Sequence, residues 1–446
     1  MGTAAGAILP AQTFVSLAVL VIVVHVILIT VAYLIYLERK ISAYIQDRIG
    51  PNRVGFDFGV LPIKFGFWGL GQPLADGLKF LLKEDYAPAS SDKALFTLAP
   101  IAIIIPALIG FAVVPWGGYI QVPDITLAGF HLVEAGRAQV IGADINIGVI
   151  YILAVASLGV YGVTLGGWAS NNKYSFLGGL RCTAGMISYE IPLGVSILVM
   201  VLLAGTLQLD SITELQIRNG WFLWSMPLAA ILFYTCHLAE SNRAPFDNAE
   251  AEQELVGGYH TEYSSMRFAL FFLAEYSHMI TGSALLAVLF LGGYHIPFVG
   301  WTRPEAIGIG PMLVKFLAIF TKVLLLISLS MVVRWTIPRI RYDQVLKLAW
   351  AGLIPISIVL LVATSLMMYM GWTAPWQLFV MNVALIAGVL AVQPLMPKAD
   401  VNKRVPMAGS RFSPLEGEHV TAAPSHPVAL RDAAIGAEER GVVSVH

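Results

Sequence analysis

The chain has 446 residues, 57% of them hydrophobic and only 12% charged, with a net charge of -1 at pH 7 and a mean hydropathy of +0.75. Soluble domains carry roughly twice that share of charge, so the composition points to a polytopic membrane protein and away from a nucleic-acid partner. Cys182 and Cys236 lie far apart without CxxC or Cys/His spacing, which argues against a disulfide framework, zinc or an iron–sulfur ligand set. There is no GxGxxG fingerprint after a strand and no Walker loop, so the chain carries no visible means of binding a nucleotide.

The first apolar segment runs from about Leu9 to Leu37. It is too long for a signal-peptide core of roughly 7–15 residues and longer than a ~30 Å hydrocarbon layer requires, so it is expected to tilt or protrude. It ends in Glu38-Arg39-Lys40. Ile41–Asp92 then carries Arg48, Arg53, Lys64, Lys79 and Lys83, and by the positive-inside rule it is cytoplasmic. Within it, Phe56–Leu82 is apolar but broken by Pro62, Pro73 and glycines; it suits an interfacial or re-entrant helix. Asp76 sits in that setting, in QPLADGLKFLLKE.

Eight more spans are expected near Ala94–Val114, Ile145–Trp168, Ala184–Leu207, Trp221–Leu238, Phe268–Leu291, Pro311–Val333, Leu348–Met370 and Pro375–Leu395. About nine spans with an inner first loop put the N-terminus outside and the C-terminus in the cytoplasm. Basic residues agree: Lys173, Arg181, Arg243, Arg334, Arg339, Arg341 and Lys347 fall on the inner side, and only Arg137, Arg218 and Arg303 on the outer. Glu190, Glu275, Lys315 and Lys322 lie within spans, where ionisable groups face a bundle interior or a water-filled cavity. Lys315 is expected to snorkel to an interface; Lys322, deeper, is a candidate relay partner. Asp124, Glu134 and Asp144 are expected in solvent. Residues 398–446 read as a flexible polar cytoplasmic tail, separate from a membrane domain at 1–397.

The richest stretch is Leu238–Tyr263, LAESNRAPFDNAEAEQELVGGYHTEY, on the cytoplasmic side. Glu240, Asp247, Glu250, Glu252, Glu254 and Glu262 crowd it, and Glu275 follows in the next span. Two readings stand at this level. A charge run between helices is commonly a solvated loop. Yet these acids alternate with Ala, Pro, Phe, Leu, Val and Gly; folded between helices they would be partly dry, share protons and titrate near neutrality.

The runs YLERKISAYIQDRIGPNRVG, QPLADGLKFLLKED, MISYEIP, AESNRAPFDNAEAEQELVGGYHTEY and RWTIPRIRYDQVLKLAW occur in this order. With them the chain closely resembles the H subunit of bacterial NADH–quinone oxidoreductase (respiratory complex I) and the mitochondrially encoded first ND subunit, over most of Leu17–Leu395. The resemblance implies an all-α membrane subunit that walls a quinone chamber where the hydrophilic arm meets the membrane, with acids that begin the path from quinone reduction to proton translocation. It implies quinone as substrate and no cofactor or metal of its own. NADH, FMN and iron–sulfur clusters would belong to partner subunits, among them hydrophilic quinone-module subunits and small membrane subunits. Carried over by position, proton coupling falls to Glu190, Glu240, Asp247, Glu250, Glu252, Glu254, Glu262 and Glu275, and quinone binding to Arg39, Arg48, Asp76, Phe246 and Arg334. Arg339 and Arg341 are expected to anchor a soluble partner.

The chain departs from the family pattern in a longer Phe56–Gly71 link, an extended outer loop Trp116–Asp144, the tail, and Gly185 in place of the usual Gln before MISYE. The corresponding component of a membrane-bound hydrogenase is the alternative reading. A stand-alone transporter would show two matching halves with interrupted helices, and no such repeat is visible.

Overall fold

A computed structural model describes residues 9–55, 67–127, 130–248, 255–392, 419–421 and 442–444. Glu250, Glu252, Glu254, most of the Phe56–Gly71 link and nearly all of the tail lie outside them. Residues 390–446 form a unit of their own, in which His419–Thr421 pairs antiparallel with Val442–Ser444.

The chain is an all-α membrane protein with eight helices, among the described residues, long and apolar enough to cross a bilayer. The first, α1 (Ala11–Ile45), has 35 residues and spans about 52 Å. It exceeds the expected span at its C-terminal end by a further two turns. A short helix α2 (Gln72–Leu82), opened by Pro73, occupies the expected interfacial position, and none of its residues is buried within this chain. Then follow α3 (Lys93–Ile109), α4 (Gly148–Ala169) and α5 (Lys173–Ala204). α5 starts eleven residues before the expected span because Asn172 caps it, its side chain accepting from the Tyr174 amide. Lys173 and Arg181 therefore lie on the helix rather than in a loop.

The expected fifth span is split. Its sequence WSMPLAA breaks at Met226, where φ/ψ are not helical, giving α7 (Phe222–Ser225) and α8 (Pro227–Glu240) after a short helix α6 (Leu209–Asn219). Proline is welcome at the first turn of a helix and disruptive later, so Pro227 restarts the helix there. The remaining long helices are α9 (Ser265–Phe290), α10 (Ile309–Thr336), α11 (Tyr342–Tyr369) and α12 (Pro375–Val392). α11 contains a π-helical turn at Leu348–Leu353.

Small residues set the helix spacing, as bilayer proteins require when lipid offers no hydrophobic driving force between helices. A Cβ built on Gly162 of α4 would lie 2.8 Å from the Ile103 backbone nitrogen and 3.0 Å from the Ala99 carbonyl of α3. The two backbones touch there, and no side chain fits between them. The extended loop 116–144 is not irregular: Tyr119–Val122 pairs antiparallel with Gly136–Gln139, and, nested within, Ile125–Leu127 pairs antiparallel with Phe130–Val133. Gln12 at the start of α1 holds it through paired hydrogen bonds with the Gln139 backbone.

Candidate functional site

The buried stripe of α1 is Val15, Val19, Val23, Ile27, Val31, Leu34 and Glu38, in steps of three or four residues. That is one face of a helix, and its last member is a carboxylate. Glu38 is thereby carried into the protein rather than into solvent. Its Oε1 accepts from Arg334 at 2.6 Å and its Oε2 from Arg243 at 3.3 Å and from the Tyr276 hydroxyl. Arg243 also forms an ion pair with Glu275, Nε to carboxylate oxygen 2.7 Å, and its guanidinium lies 4.1 Å from the Tyr276 ring centre.

Two carboxylates thus meet two guanidinium groups where the C-terminal parts of α1 and α10 approach the N-terminal half of α9. The Arg243 side chain is only 4% exposed. A charge so placed is tolerable only when paired and hydrogen-bonded, and the planar guanidinium fork reaches two carboxylates at once where an ammonium would reach one. The loop after α8 presents Arg243 by folding tightly: the Arg243 amide donates to Leu238 at 3.2 Å, Phe246 to Arg243 at 2.9 Å, and Ile340 to Pro245 at 3.0 Å. The same loop buries Asp247, which takes Arg339 at 2.7 Å. Arg341 instead makes an exposed pair with Asp343.

A second acidic group lies deeper. Glu190 on α5 accepts from Ser157 of α4. Glu240, the last residue of α8, lines a small internal cavity with His237, Ser241, His278 and Thr281. At the surface, Asp76 of α2 accepts from Arg39 at 2.7 Å and Gln72 at 3.1 Å, with Lys79 at 4.0 Å. Arg48 is exposed just beyond α1.

Four expected residues stand elsewhere. Glu262 takes the Asn172 amide at 2.6 Å and lines an open polar depression with Ser170 and Lys173. Its neighbour His260 is pushed down to about 4 by burial, so it is neutral at physiological pH. Phe246 is buried, its ring 5.4 Å from that of Tyr189, whose hydroxyl donates to the Val345 carbonyl. Lys322 donates to the carbonyls of Leu291, Gly293 and His295 at 2.5–2.8 Å. All three of its protons are used on the open C-terminal turn beyond α9, a clamp rather than a free relay group. Lys315 does not snorkel; it is fully buried and donates to the Ala306 carbonyl at 2.8 Å.

A model of the NADH dehydrogenase family matches residues 17–365. A protein of Cytophaga hutchinsonii, named as an H subunit of NADH-quinone oxidoreductase, is 44% identical over 361 residues, 80% of this chain and 98% of the relative. The chain belongs to the family of NADH-quinone oxidoreductase H subunits. It is also 45% identical over 365 residues to an H subunit of Geobacter sulfurreducens, covering 80% and 96% of the two chains, and 44% identical over 348 residues to the H subunit of Leptospira biflexa, covering 76% and 91%.

The residues of this H-subunit fold that motif and composition pass over are Glu38, Arg243 and Tyr276 as one unit. Glu38 is legible as the seventh member of the α1 stripe, but its neighbours Arg39 and Lys40 make it read as part of a cytoplasmic helix end. Arg243 reads as one more inner-loop cation. No local pattern reveals that Arg243 and Tyr276, more than two hundred positions from Glu38, converge on it.

Proposed function

We propose that the chain is the membrane subunit of an NADH–quinone oxidoreductase that walls the quinone chamber and couples quinone reduction to proton translocation. It lies in the cell inner membrane with its N-terminus outside. The observation that carries this reading is the set of acids drawn into the protein, Glu38 and Asp247 buried and Glu275, Glu190 and Glu240 half-buried, of which Glu38, Glu275 and Asp247 are held by arginines. Arg39, Arg48, Asp76 and Arg334 supply the polar groups that orient a flat apolar ring bearing two carbonyls, and Phe246 an aromatic wall.

The coupling is electrostatic in origin. A quinone that takes up electrons draws protons and changes the local charge. One unit charge about 10 Å away, at an effective dielectric constant near 20, is worth about 1.7 kcal/mol, which moves a carboxyl pKa by about one unit. A near-neutral set of two acids and two arginines is poised to answer such a change, because each proton shifts its balance. Glu250, Glu252 and Glu254, which follow Asp247 in the sequence, and Glu262 complete the proposed set of coupling acids. Quinone is the substrate. NADH, FMN and the iron–sulfur clusters reside on partner subunits, and the inner basic loop with Arg339 and Arg341 is where a hydrophilic one docks.

The test is Glu190→Gln in the assembled complex reconstituted in liposomes. Proton uptake driven by quinone-linked NADH oxidation is expected to fall at least tenfold, with ferricyanide reduction unchanged. Pumping at the wild-type rate would overturn the role of these acids.

A further inference from the structure

The cavity beside Glu240 has a volume of about 30 Å³, above the ~10–15 Å³ that a cavity needs to hold a water. Two of its walls are histidines that the family resemblance did not single out. His237 lies on α8 and His278 on α9, and each is seated against a glycine. A Cβ at Gly282 would overlap the His237 ring at Cε1 and Nδ1; a Cβ at Gly159 would fall 3.1 Å from His278 Nε2. The first glycine is a notch that only a missing side chain allows; the second leaves the His278 ring just enough room.

The polar atoms of the cavity differ in what they still need. The Ser241 hydroxyl donates to the His237 carbonyl at 2.9 Å and the Thr281 hydroxyl to Ser277 at 3.0 Å, leaving each with lone pairs only. The His237 ring is hydrogen-bonded to the Met279 backbone. His278 Nε2 is buried and has no partner among the described residues. A buried ring nitrogen without a partner has lost its hydrogen bond to water and gained none in return. A water needs two to four polar partners, and His278, Glu240, Ser241 and Thr281 all line the cavity.

We propose that this cavity is a single-water site, and that His278 exchanges a proton with Glu240 through that water. The proposal rests on the reading of Glu240 as a proton-coupling acid and adds its partner. In the transfer, the Glu240 carboxyl gives its proton to the water oxygen while the water gives one of its own to His278 Nε2. A neutral pair becomes a carboxylate and an imidazolium, and the reverse step restores it. His278 must hold the tautomer with its proton on Nδ1, so that Nε2 faces the water with a lone pair. One water as bridge keeps donor and acceptor within hydrogen-bond reach on both sides.

The experiment uses the whole complex in liposomes, with His278→Gln and His278→Leu. Glutamine keeps a polar tip that holds the water but does not carry a proton at this site; leucine removes both. Quinone-linked turnover and pumping are expected to fall at least tenfold in both variants, with a larger solvent deuterium effect in His278→Gln and unchanged ferricyanide reduction. A density map of the wild-type complex should show one water between Nε2 and Glu240. Wild-type pumping and isotope effect in His278→Gln would overturn the relay, whatever His278→Leu does to folding. Failure of the parent reading looks different: Glu240→Gln would then pump normally as well.

Discussion

Replacing Arg243 by methionine tests the charge network most directly. Its contacts at 2.7 Å to Glu275 and 3.3 Å to Glu38 correspond to gross attractions of about 6 and 5 kcal/mol at an effective dielectric constant near 20. Most of that offsets the desolvation of the three ions, so the net worth of the intact network is small. Removal of one member is another matter. Methionine fills most of the volume yet leaves Glu275 without this cation and Glu38 with only Arg334 and Tyr276. Breaking a buried ion pair in this way costs about 3–5 kcal/mol. The assay is unfolding of the purified protein in micelles of rising SDS fraction, with Arg243→Met, Glu275→Gln and the double variant as a cycle. The double variant should recover about half of the loss, because the stranded carboxylate is gone. A loss below about 1 kcal/mol for Arg243→Met, the range of exposed pairs, would refute the reasoning that this site is dry.

Asp210 of α6 is buried and accepts from the hydroxyls of Tyr119 at 3.2 Å and Tyr294 at 3.3 Å; burial first, then Glu214, raises it from 3.8 to about 6. Its folded value is the higher one, so its contribution to stability is fully present below pH 3.8 and lost as pH rises to 6. The loss is about 3 kcal/mol. Asp210→Asn should abolish that slope in thermal unfolding scans between about pH 4 and 7, and an unchanged slope would count against it. Gly162→Ala should destabilise by about 1–3 kcal/mol, since the new methyl meets backbone atoms of α3 that cannot move aside; SDS unfolding would show it. Arg39→Ala should raise the KM for short-chain quinones several-fold while leaving stability within about 1 kcal/mol, because the Arg39 side chain is 42% exposed; steady-state kinetics with the complex would decide.

The long helices are legible in the sequence because apolar runs of about twenty residues have few alternatives in a bilayer. Where the reading and the fold differ, short-range pattern is the weaker guide. The split at Met226 requires the proline in WSMP to be weighed against an apolar run long enough to span. The hairpin at 119–139 has strands of three and four residues, too short for alternation to stand out. The buried acids are half legible. Motif and setting mark Glu190, Glu240, Asp247 and Glu275, whereas Glu38 requires projecting a helix face one turn beyond the apparent membrane edge. Lys322 reads as a deep cation and candidate relay, but its three carbonyl partners come from backbone that no side-chain motif encodes.

The long helix α1 is fastened near its start, where Gln12 and Ser16 hold the backbone of Gln139 and Ile141, and near its end, where Glu38 is gripped from three directions. A transmembrane rod secured at both extremities is not at liberty to change its slant when the surrounding lipids thicken or thin. Here the bilayer must deform around the protein, and activity measured across lipids of graded chain length would register that elastic strain at the charge cluster near the C-terminal end of α1.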